Sequence, residues 1–274
     1  MMVSSPQAIR DEKALHLWFS RIPFVLVSFS GGVDSSLVLY AALASLGPAA
    51  VLAVLADSPL HKRRDAAAAE AFCRRRRIPL AVVETRELEI PGVRENPADR
   101  CYHCKKEILA AVAACSPVPG AVLVTGTGTN ADDLVRTRPG LRAEAEAGAR
   151  RPLAELNMGK KRVRALARRL GLETWNLPSE SCLSTRIRRG EELTRRKLAR
   201  VEAAEKLLEQ AGFSPCRVRL EGDQAGLEVL PDRVRLLLRL LPDLEGPLLR
   251  LGFSRVEASP AGYVPGEAGM GRGA

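Results

Sequence analysis

The run Ser30-Gly31-Gly32-Val33-Asp34-Ser35-Ser36 has the composition of a phosphate-binding turn. Its two glycines let backbone N–H groups face an anion, a following helix would add partial positive charge, and the hydroxyl groups of Ser30, Ser35 and Ser36 supply further donors. A tight turn with a helix N-cap is the alternative. The run has no lysine, unlike the phosphate loop of nucleoside triphosphatases. A carboxylate beside phosphates requires a cation between them, so we assign Asp34 to Mg²⁺.

Among six cysteines, Cys101 and Cys104 form a Cys-x-x-Cys pair at the start of a predicted helix. Such a pair binds metal, cycles as a dithiol or is simply two partly buried thiols. A zinc site with four ligands would require a second pair, which the sequence lacks. Three cysteines can hold an iron–sulfur cluster with one iron open, and Cys182 is the obvious third. Three arginines follow Cys182 within seven residues and favour its nucleophilic form, although an inert loop cysteine is the alternative.

The elements that must position these residues alternate between strand and helix. Because short apolar strands with intervening helices are typical of repeated strand–helix–strand units, we predict an α/β fold with a parallel, doubly wound sheet. Ligands of such sheets bind at the carboxyl ends of the strands, where the glycine-containing run lies. The predicted strands are Phe24–Phe29, Val51–Ala56, Leu80–Val83 and Ala121–Val124, and the predicted helices are Asp34–Leu46, Lys62–Arg77 and Cys101–Ala114.

The regular alternation of strand and helix does not continue along the rest of the chain. Residues 126–151 have little periodicity and predict a long binding loop, which a basic amphipathic helix over 160–170 follows. We expect one domain over residues 1–175, a smaller α+β domain over 176–258 and a flexible tail over 259–274. The predicted elements of the second domain are helices at Thr194–Ala211 and Asp232–Leu240 and strands near Cys216–Leu220, Leu227–Leu230 and Phe253–Glu257.

Composition limits the class of protein. Of the 274 residues, 46% are hydrophobic and 27% are charged, which is typical of a soluble globular protein. No apolar run of about 20 residues occurs, so we expect no membrane span, no signal peptide and a cytoplasmic location. The net charge of +10 favours an anionic partner, while aromatic residues at 4% leave few stacking platforms for single-stranded nucleic acid.

The residues from Ser30 to Ser35 match the SGGxDS signature of the PP-loop ATP pyrophosphatases. In that superfamily the loop holds pyrophosphate as a leaving unit while a substrate oxygen attacks the α-phosphorus of ATP. Together with 125–133, 138–140, 146–152 and the Cys182 loop, the motif order resembles the LarE-type sulfur transferases. The resemblance implies ATP-dependent conversion of the carboxylates of a pyridinium mononucleotide to thiocarboxylates, a step in making the nickel-pincer nucleotide cofactor.

The resemblance also assigns residues. It implies that Cys182 bears the transferred sulfur, that Glu205 is the acidic catalytic residue, and that Arg217 and Arg219 bind the substrate phosphate. The two arginines alternate on a predicted strand and therefore share one face. The segment 100–104 resembles the variety that holds a four-iron, four-sulfur cluster through Cys101, Cys104 and Cys182. The implied cofactors are ATP, Mg²⁺ and this cluster, and the implied partners are a small nucleotide and further copies of the chain, with no nucleic acid and no membrane.

Three other functions stay open at this point. A tRNA thiolase of the PP-loop class would also combine ATP with three cysteines, and it would bind tRNA with a steep salt dependence. An amidating ligase resembling NAD synthetase would need no thiol, so its activity would survive the loss of Cys182. A nucleotide-binding regulator would bind ATP without releasing pyrophosphate.

Overall fold

The structure is a computed structural model that describes residues 6–126, 139–178 and 180–263. Their contacts divide the chain into two compact units. The first contains the residues up to Ser58, Arg63–Glu87 and Asp99–Leu177, and the second contains Pro59–Lys62, Leu88–Ala98 and the chain from Pro178. The domain division predicted from the sequence did not include the two short segments of the second unit, and its boundary after residue 175 stays a prediction.

The first unit is built on a four-stranded sheet in the order β3-β2-β1-β4, and all its neighbouring strands are parallel. This arrangement confirms the predicted α/β fold. Short apolar strands without charge in their interiors can be buried on both faces, as parallel strands are. The strands are β1 (Val25–Phe29), β2 (Val51–Asp57), β3 (Leu80–Glu84) and β4 (Val122–Thr125).

Helices cover both faces of this sheet. Alternate residues of a strand point to opposite faces, so Val27 packs in one apolar cluster with Leu37, whereas Leu26 packs in another with Leu109. The helices of this unit are α1 (Pro6–Phe19), α2 (Val33–Leu46), α3 (Arg63–Arg76), α5 (Arg100–Ala114), α6 (Pro139–Glu146), α7 (Pro152–Glu155) and α8 (Lys160–Arg169). Short 3₁₀ turns lie at Pro48–Ala50, Glu87–Glu89 and Glu173–Asn176.

Helix α6 lies where the sequence predicted an irregular loop, so that prediction is wrong for residues 139–146; residues 127–138 of the predicted loop lie outside the described residues. The helix forms because it packs on α5. Glu144 is buried and pairs with Lys105 at 3.2 Å, and the Tyr102 hydroxyl donates to Glu146 at 2.7 Å. Tertiary contacts thus stabilise a helix that local periodicity did not indicate.

The second unit contains a three-stranded sheet in the order β5-β6-β7, antiparallel between β5 and β6 and parallel between β6 and β7. A four-residue helix, α4 (Pro91–Arg94), also belongs to it. Its other elements are a 3₁₀ turn (Leu183–Arg186), α9 (Arg195–Gln210), β5 (Cys216–Glu221), β6 (Gln224–Val229), a 3₁₀ turn (Pro231–Arg233), α10 (Val234–Arg250) and β7 (Arg255–Ala258).

Helix α10 extends ten residues beyond the end predicted at Leu240. Pro242 and Pro247 lie inside it, although proline removes a helical hydrogen bond. Leu237 and Leu248, three turns apart, are both fully buried, so their packing offsets this cost. Within the described part of the chain, neither α10 nor any other helix has the length and apolar character needed to cross a bilayer.

Residues 259–263, which the sequence assigned to the flexible tail, are held against the sheet. The backbone N–H groups of Ser259 and Tyr263 donate to the carbonyls of Leu227 and Val229 at 2.8 and 2.7 Å. The Tyr263 side chain is 6% exposed. The rest of the predicted tail, residues 264–274, lies outside the described residues.

Candidate active site

The phosphate-binding run follows β1 and leads into the first turn of α2. Strand β1 pairs with β2 on one side and with β4 on the other, so the chain connections leave β1 in opposite directions. This switch point is the crevice in which parallel sheets bind ligands. The fold therefore puts the run where the sequence predicted a binding site.

Two glycines allow the close approach of backbone that the cradle requires. Gly31 has φ +77°, and a Cβ added there would lie 3.0 Å from the Cβ of Ala69. Gly126, at the end of β4, comes so close to the run that an added Cβ would lie 2.6 Å from the Cα of Ser35. A side chain at either position would force the backbone apart.

The helix that follows the run begins without a side-chain cap. Gly32 is the N-cap of α2 and makes no side-chain cap hydrogen bond, so no cap occupies the first N–H groups of the helix. The hydroxyls of Ser30 and Ser35 lie 3.1 Å apart, and the Ser36 hydroxyl donates to the Gly31 carbonyl at 3.4 Å. These contacts fix the loop with its own short side chains, an arrangement that can hold a phosphate group.

Asp34 is 5% exposed and forms an ion pair with Lys160, the first residue of α8. The other carboxylate oxygen, Oδ1, is buried without a hydrogen-bond partner among the described residues. An orphaned, buried oxygen is the ligand type that Mg²⁺ takes. The sequence analysis missed Lys160, a cation beside a loop that contains none of its own. The available signal was a lysine opening a basic helix directly after Gly159.

The Cys182 loop is one 3₁₀ turn with the cysteine at its N-cap position. Cys182 is partly exposed, and its Sγ lies 2.8 Å from the Oγ of the fully buried Ser184. The Leu183 N–H donates to the Leu60 carbonyl at 2.8 Å, which ties the turn to the segment Pro59–Lys62. The sulfur thus stays accessible on a turn whose backbone is held.

Arg186 holds the turn from its buried side. Its guanidinium, 0% exposed, donates to the Ser181 carbonyl at 2.7 Å and to the Cys182 carbonyl at 3.3 Å. On its other edge it donates to Glu205 Oε1 at 2.8 Å. Although burial opposes the charged form, the pKa of Arg186 lies above its usual value because of Glu205.

Glu205 is the centre of a buried ionic network. Its carboxylate is 1% exposed, lies 2.7 Å from the Lys62 Nζ and accepts a hydrogen bond from the Val218 N–H at 3.1 Å. Burial acts to raise the pKa of Glu205, but the charges and hydrogen bonds of Arg186 and Lys62 outweigh it and hold the pKa below its usual value. The sequence analysis did not identify Lys62, since a lysine at a predicted helix start carries no local signal.

Comparison with known proteins identifies the family of the chain. The NAD synthase family profile matches residues 19–95, which include the phosphate-binding run. The pyridinium-3,5-bisthiocarboxylic acid mononucleotide synthase of Lactiplantibacillus plantarum is 35% identical over 242 residues, 88% of this chain and 87% of that protein. The chain belongs to the LarE family of PP-loop enzymes.

Two further relatives of this LarE-family chain have no assigned function. An uncharacterized protein of Synechocystis sp. is 36% identical over 92% of this chain and 94% of its own length. An uncharacterized protein of Methanocaldococcus jannaschii is 28% identical over 78% of this chain and 80% of its own. The similarity to all three extends well beyond the residues matched by the NAD synthase profile.

The two arginines that the LarE resemblance assigned to phosphate binding lie on β5 in different surroundings. Arg217 is 2% exposed, and its Nη2 donates to the Tyr263 hydroxyl at 2.9 Å. Burial, together with the nearby charges of Arg186 and Arg219, lowers the pKa of Arg217 from its usual value. Arg219 is 37% exposed and pairs with Glu228 at 3.0 Å.

The cysteines of the LarE-type cluster are distributed over both units, with Cys101 and Cys104 in the first and Cys182 in the second. Cys101 is exposed and Cys104 is partly exposed, one turn apart at the start of α5. Across the described ranges, no group of three or more His, Cys, Asp or Glu side chains is arranged to hold a metal ion. The cluster stays a prediction. Cys73 is different, because burial raises the pKa of its thiol to about 12 and leaves it inert.

Proposed function

We propose that this LarE-family enzyme uses ATP to adenylate the carboxylates of pyridinium-3,5-biscarboxylic acid mononucleotide and converts them to thiocarboxylates. One observation carries the proposal: a chain with a PP-loop phosphate cradle and an anchored cysteine loop matches a synthase of the bisthiocarboxylic product over 88% of its length. The product belongs to nickel-pincer nucleotide synthesis, which is the role that we propose for this protein.

In the first step a substrate carboxylate oxygen attacks the α-phosphorus of ATP, and pyrophosphate leaves. The run Ser30–Ser36 holds the departing phosphates with backbone N–H groups and hydroxyls, and Lys160 adds positive charge beside Asp34. Mg²⁺, held by Asp34, would neutralise further phosphate charge when bound. Adenylation is needed because a carboxylate is a poor electrophile, whereas AMP is a good leaving group.

In the second step a sulfur at the Cys182 site attacks the acyl carbon, a C–S bond forms and AMP leaves. Arg186 keeps the Cys182 turn in place through its two carbonyl contacts. Glu205 was expected to be catalytic, and we propose that it is a positioning residue. Its carboxylate is occupied by Arg186, Lys62 and a backbone N–H rather than directed to open space.

The transferred sulfur has two candidate sources, Cys182 itself and a cluster-bound sulfide. If Cys182 gives its own sulfur, the Cβ–S bond must break by elimination, and the residue becomes dehydroalanine. Cys101, Cys104 and Cys182 offer the thiolate donors that a four-iron, four-sulfur cluster requires, and such a cluster would supply a sulfide instead. The presence of the exposed Cys101 favours the cluster-bound sulfide as the source.

Paired variants test the two steps. Asp34→Ala should abolish pyrophosphate release, whereas Cys182→Ala should still release pyrophosphate and form the adenylate but yield no thiocarboxylate. Mass spectrometry of protein and products after anaerobic turnover measures both. Thiocarboxylate formation by Cys182→Ala would refute the sulfur role of Cys182, whereas an amide product would favour an amidating ligase. Hydrolysis of ATP to ADP would refute the adenylation step.

The cluster has a separate test. Anaerobic reconstitution with iron and sulfide should give cluster absorbance that Cys101→Ala reduces, while Cys115→Ala, at the opposite end of α5, should leave it unchanged. If the protein shows no cluster absorbance and its mass falls by that of H₂S after one turnover, Cys182 gives up its own sulfur. Size-exclusion chromatography tests the proposed homo-oligomer, and salt-dependent tRNA binding would favour the thiolase instead.

A further inference from the structure

Tyr263 belongs to a segment that is built to hold it. The Tyr263 N–H donates to the Val229 carbonyl at 2.7 Å, which aligns the segment with the end of β6. Gly262 precedes it with φ +66°, and a Cβ added there would lie 2.7 Å from the Val229 carbonyl oxygen. Only glycine fits this turn, so the turn at Gly262 and the hydrogen bond of the Tyr263 N–H together fix the position of the tyrosine.

Tyr263 in turn covers Arg217. The Arg217 Cζ lies 4.0 Å from the centre of the tyrosine ring, and its Nη2 donates to the hydroxyl at 2.9 Å. A cation stacked on an aromatic face is held in one plane. The ring thus orients the guanidinium, and the tyrosine hydroxyl lies beside its Nη2 end.

Arg217 forms no ion pair with a carboxylate of the described residues, whereas the neighbouring arginines do. Arg186 pairs with Glu205 and Arg219 pairs with Glu228, but no carboxylate of the described residues lies within ion-pair distance of Arg217. Its Nε is buried and has no hydrogen-bond partner in the same part of the chain. Since a guanidinium has five N–H donors and a buried, unsatisfied donor is destabilising, this arrangement indicates an anionic ligand.

The Tyr263 hydroxyl accepts a hydrogen bond from Arg217 and therefore keeps its own proton to donate. None of the described residues accepts that proton. We propose that Tyr263 is a third ligand of the substrate's phosphate monoester, donating its hydroxyl proton beside the guanidinium groups of Arg217 and Arg219. This inference rests on the proposed function and on the LarE resemblance, which implies that the two arginines bind that phosphate. Three donor groups match the three terminal oxygens of a phosphate monoester.

Calorimetric binding of two probes tests the inference. The probes are nicotinic acid mononucleotide and nicotinic acid riboside, which lacks the phosphate. Tyr263→Phe keeps the ring and its stacking, and it should weaken binding of the mononucleotide at least about tenfold, or about 1.4 kcal/mol, because it removes a hydrogen bond to a charged group. Riboside binding should not change. Tyr40→Phe, a matched loss of one hydroxyl on α2, should change neither.

The possible failures are distinguishable. If Arg217→Gln weakens mononucleotide binding and Tyr263→Phe does not, the phosphate site stands and only the role of Tyr263 is wrong. Tighter binding by Tyr263→Phe would make the tyrosine a cover rather than a ligand and would also overturn the inference. If the unmodified protein binds both probes equally, the phosphate site and this inference fail together. Near-ultraviolet circular dichroism of each variant verifies that the packing around residue 263 is retained.

Discussion

The phosphate-binding run and the Cys182 loop are both short turns that lead into helical residues, but they are held in different ways. Serine hydroxyls and glycine backbone within seven consecutive residues hold the run Ser30–Ser36. The Cys182 loop is held by its own Arg186 together with Glu205 and Lys62, which lie far away in the sequence, and all three side chains are almost fully buried.

The difference follows from what each turn must do. An anion cradle must direct its own N–H groups outward, so it uses residues too small to block them, and its helix has no side-chain cap. A turn that carries a nucleophile must leave the sulfur accessible while its backbone stays still, so it is anchored from behind by charged side chains. The run Ser30–Ser36 depends on backbone conformation, and we call it the conformational device. The buried network of Arg186, Glu205 and Lys62 depends on charge, and we call it the electrostatic device.

The largest effect on stability should come from the electrostatic device. Glu205→Ala removes the shared partner of Arg186 and Lys62 and leaves two buried cations, so we expect the free energy of unfolding to fall by about 3–5 kcal/mol in urea denaturation. Glu209→Ala is the control, because that carboxylate lies 3.7 Å from Lys62 and is 19% exposed. Its loss should cost less than about 1 kcal/mol. Equal losses would show that the network is not centred on Glu205.

The conformational device can be tested with two glycines of the same φ. Gly31→Ala should lower the free energy of unfolding by about 2–3 kcal/mol, because the positive φ and the contact with Ala69 both oppose a Cβ. Gly47→Ala also has φ +77° but meets nothing within 4 Å, and it should cost about 1 kcal/mol. Thermal or urea unfolding measures both, and only Gly31→Ala should lose ATP binding. If both variants cost the same, the contact with Ala69 carries no energy.

Acid should weaken only the electrostatic device. The folded-state pKa of Glu205 lies below its ordinary value of 4.5, so its carboxylate stabilises the fold above that pH and loses this contribution as the pH falls through the depressed value. The stability difference between the unmodified protein and Glu205→Gln should be full at pH 7 and should narrow below about pH 4.5. Urea unfolding at several pH values measures it. The stability difference between the unmodified protein and Gly31→Ala should not change with pH. If the differences for both variants narrowed together in acid, the two turns would not be held in different ways.

The smallest effect concerns the helix that carries Glu205. Thr194 caps α9 by accepting a hydrogen bond from the Lys197 N–H at 3.2 Å, unlike Gly32 at the start of α2. Thr194→Ala should cost about 1 kcal/mol of unfolding free energy, and Thr194→Ser should restore most of it. Thr194→Gly, which keeps a residue that is favourable at an N-cap, should cost only a few tenths of a kcal/mol. A loss as large as that of Thr194→Ala would contradict this.

The sequence predicted the conformational device and much of the sheet because their signals are local. Strand β1, the two glycines and Asp34 follow one another within ten residues. Lys160 was not predicted, since it reaches Asp34 from 126 residues further along the chain. Lys62 and Arg186 join Glu205 through the tertiary fold alone, and the helix α6 depends on α5. Tyr263 was assigned to a flexible tail because its neighbours Gly262 and Pro260 are typical of irregular chain, although here the glycine serves a tight turn.

The order of the two units along the chain constrains how the protein can be made. The chain passes between them at residues 58/59, 62/63, 87/88, 98/99 and 177/178. On the ribosome, the segment Pro59–Lys62 therefore emerges more than a hundred residues before Glu205, its ionic partner. The second unit cannot complete its buried network until the last third of the protein has been synthesised, and a fragment that begins at residue 178 would lack Lys62 altogether. Splitting the gene at that point should yield one half that lacks Lys62 and another that carries Lys62 without Glu205.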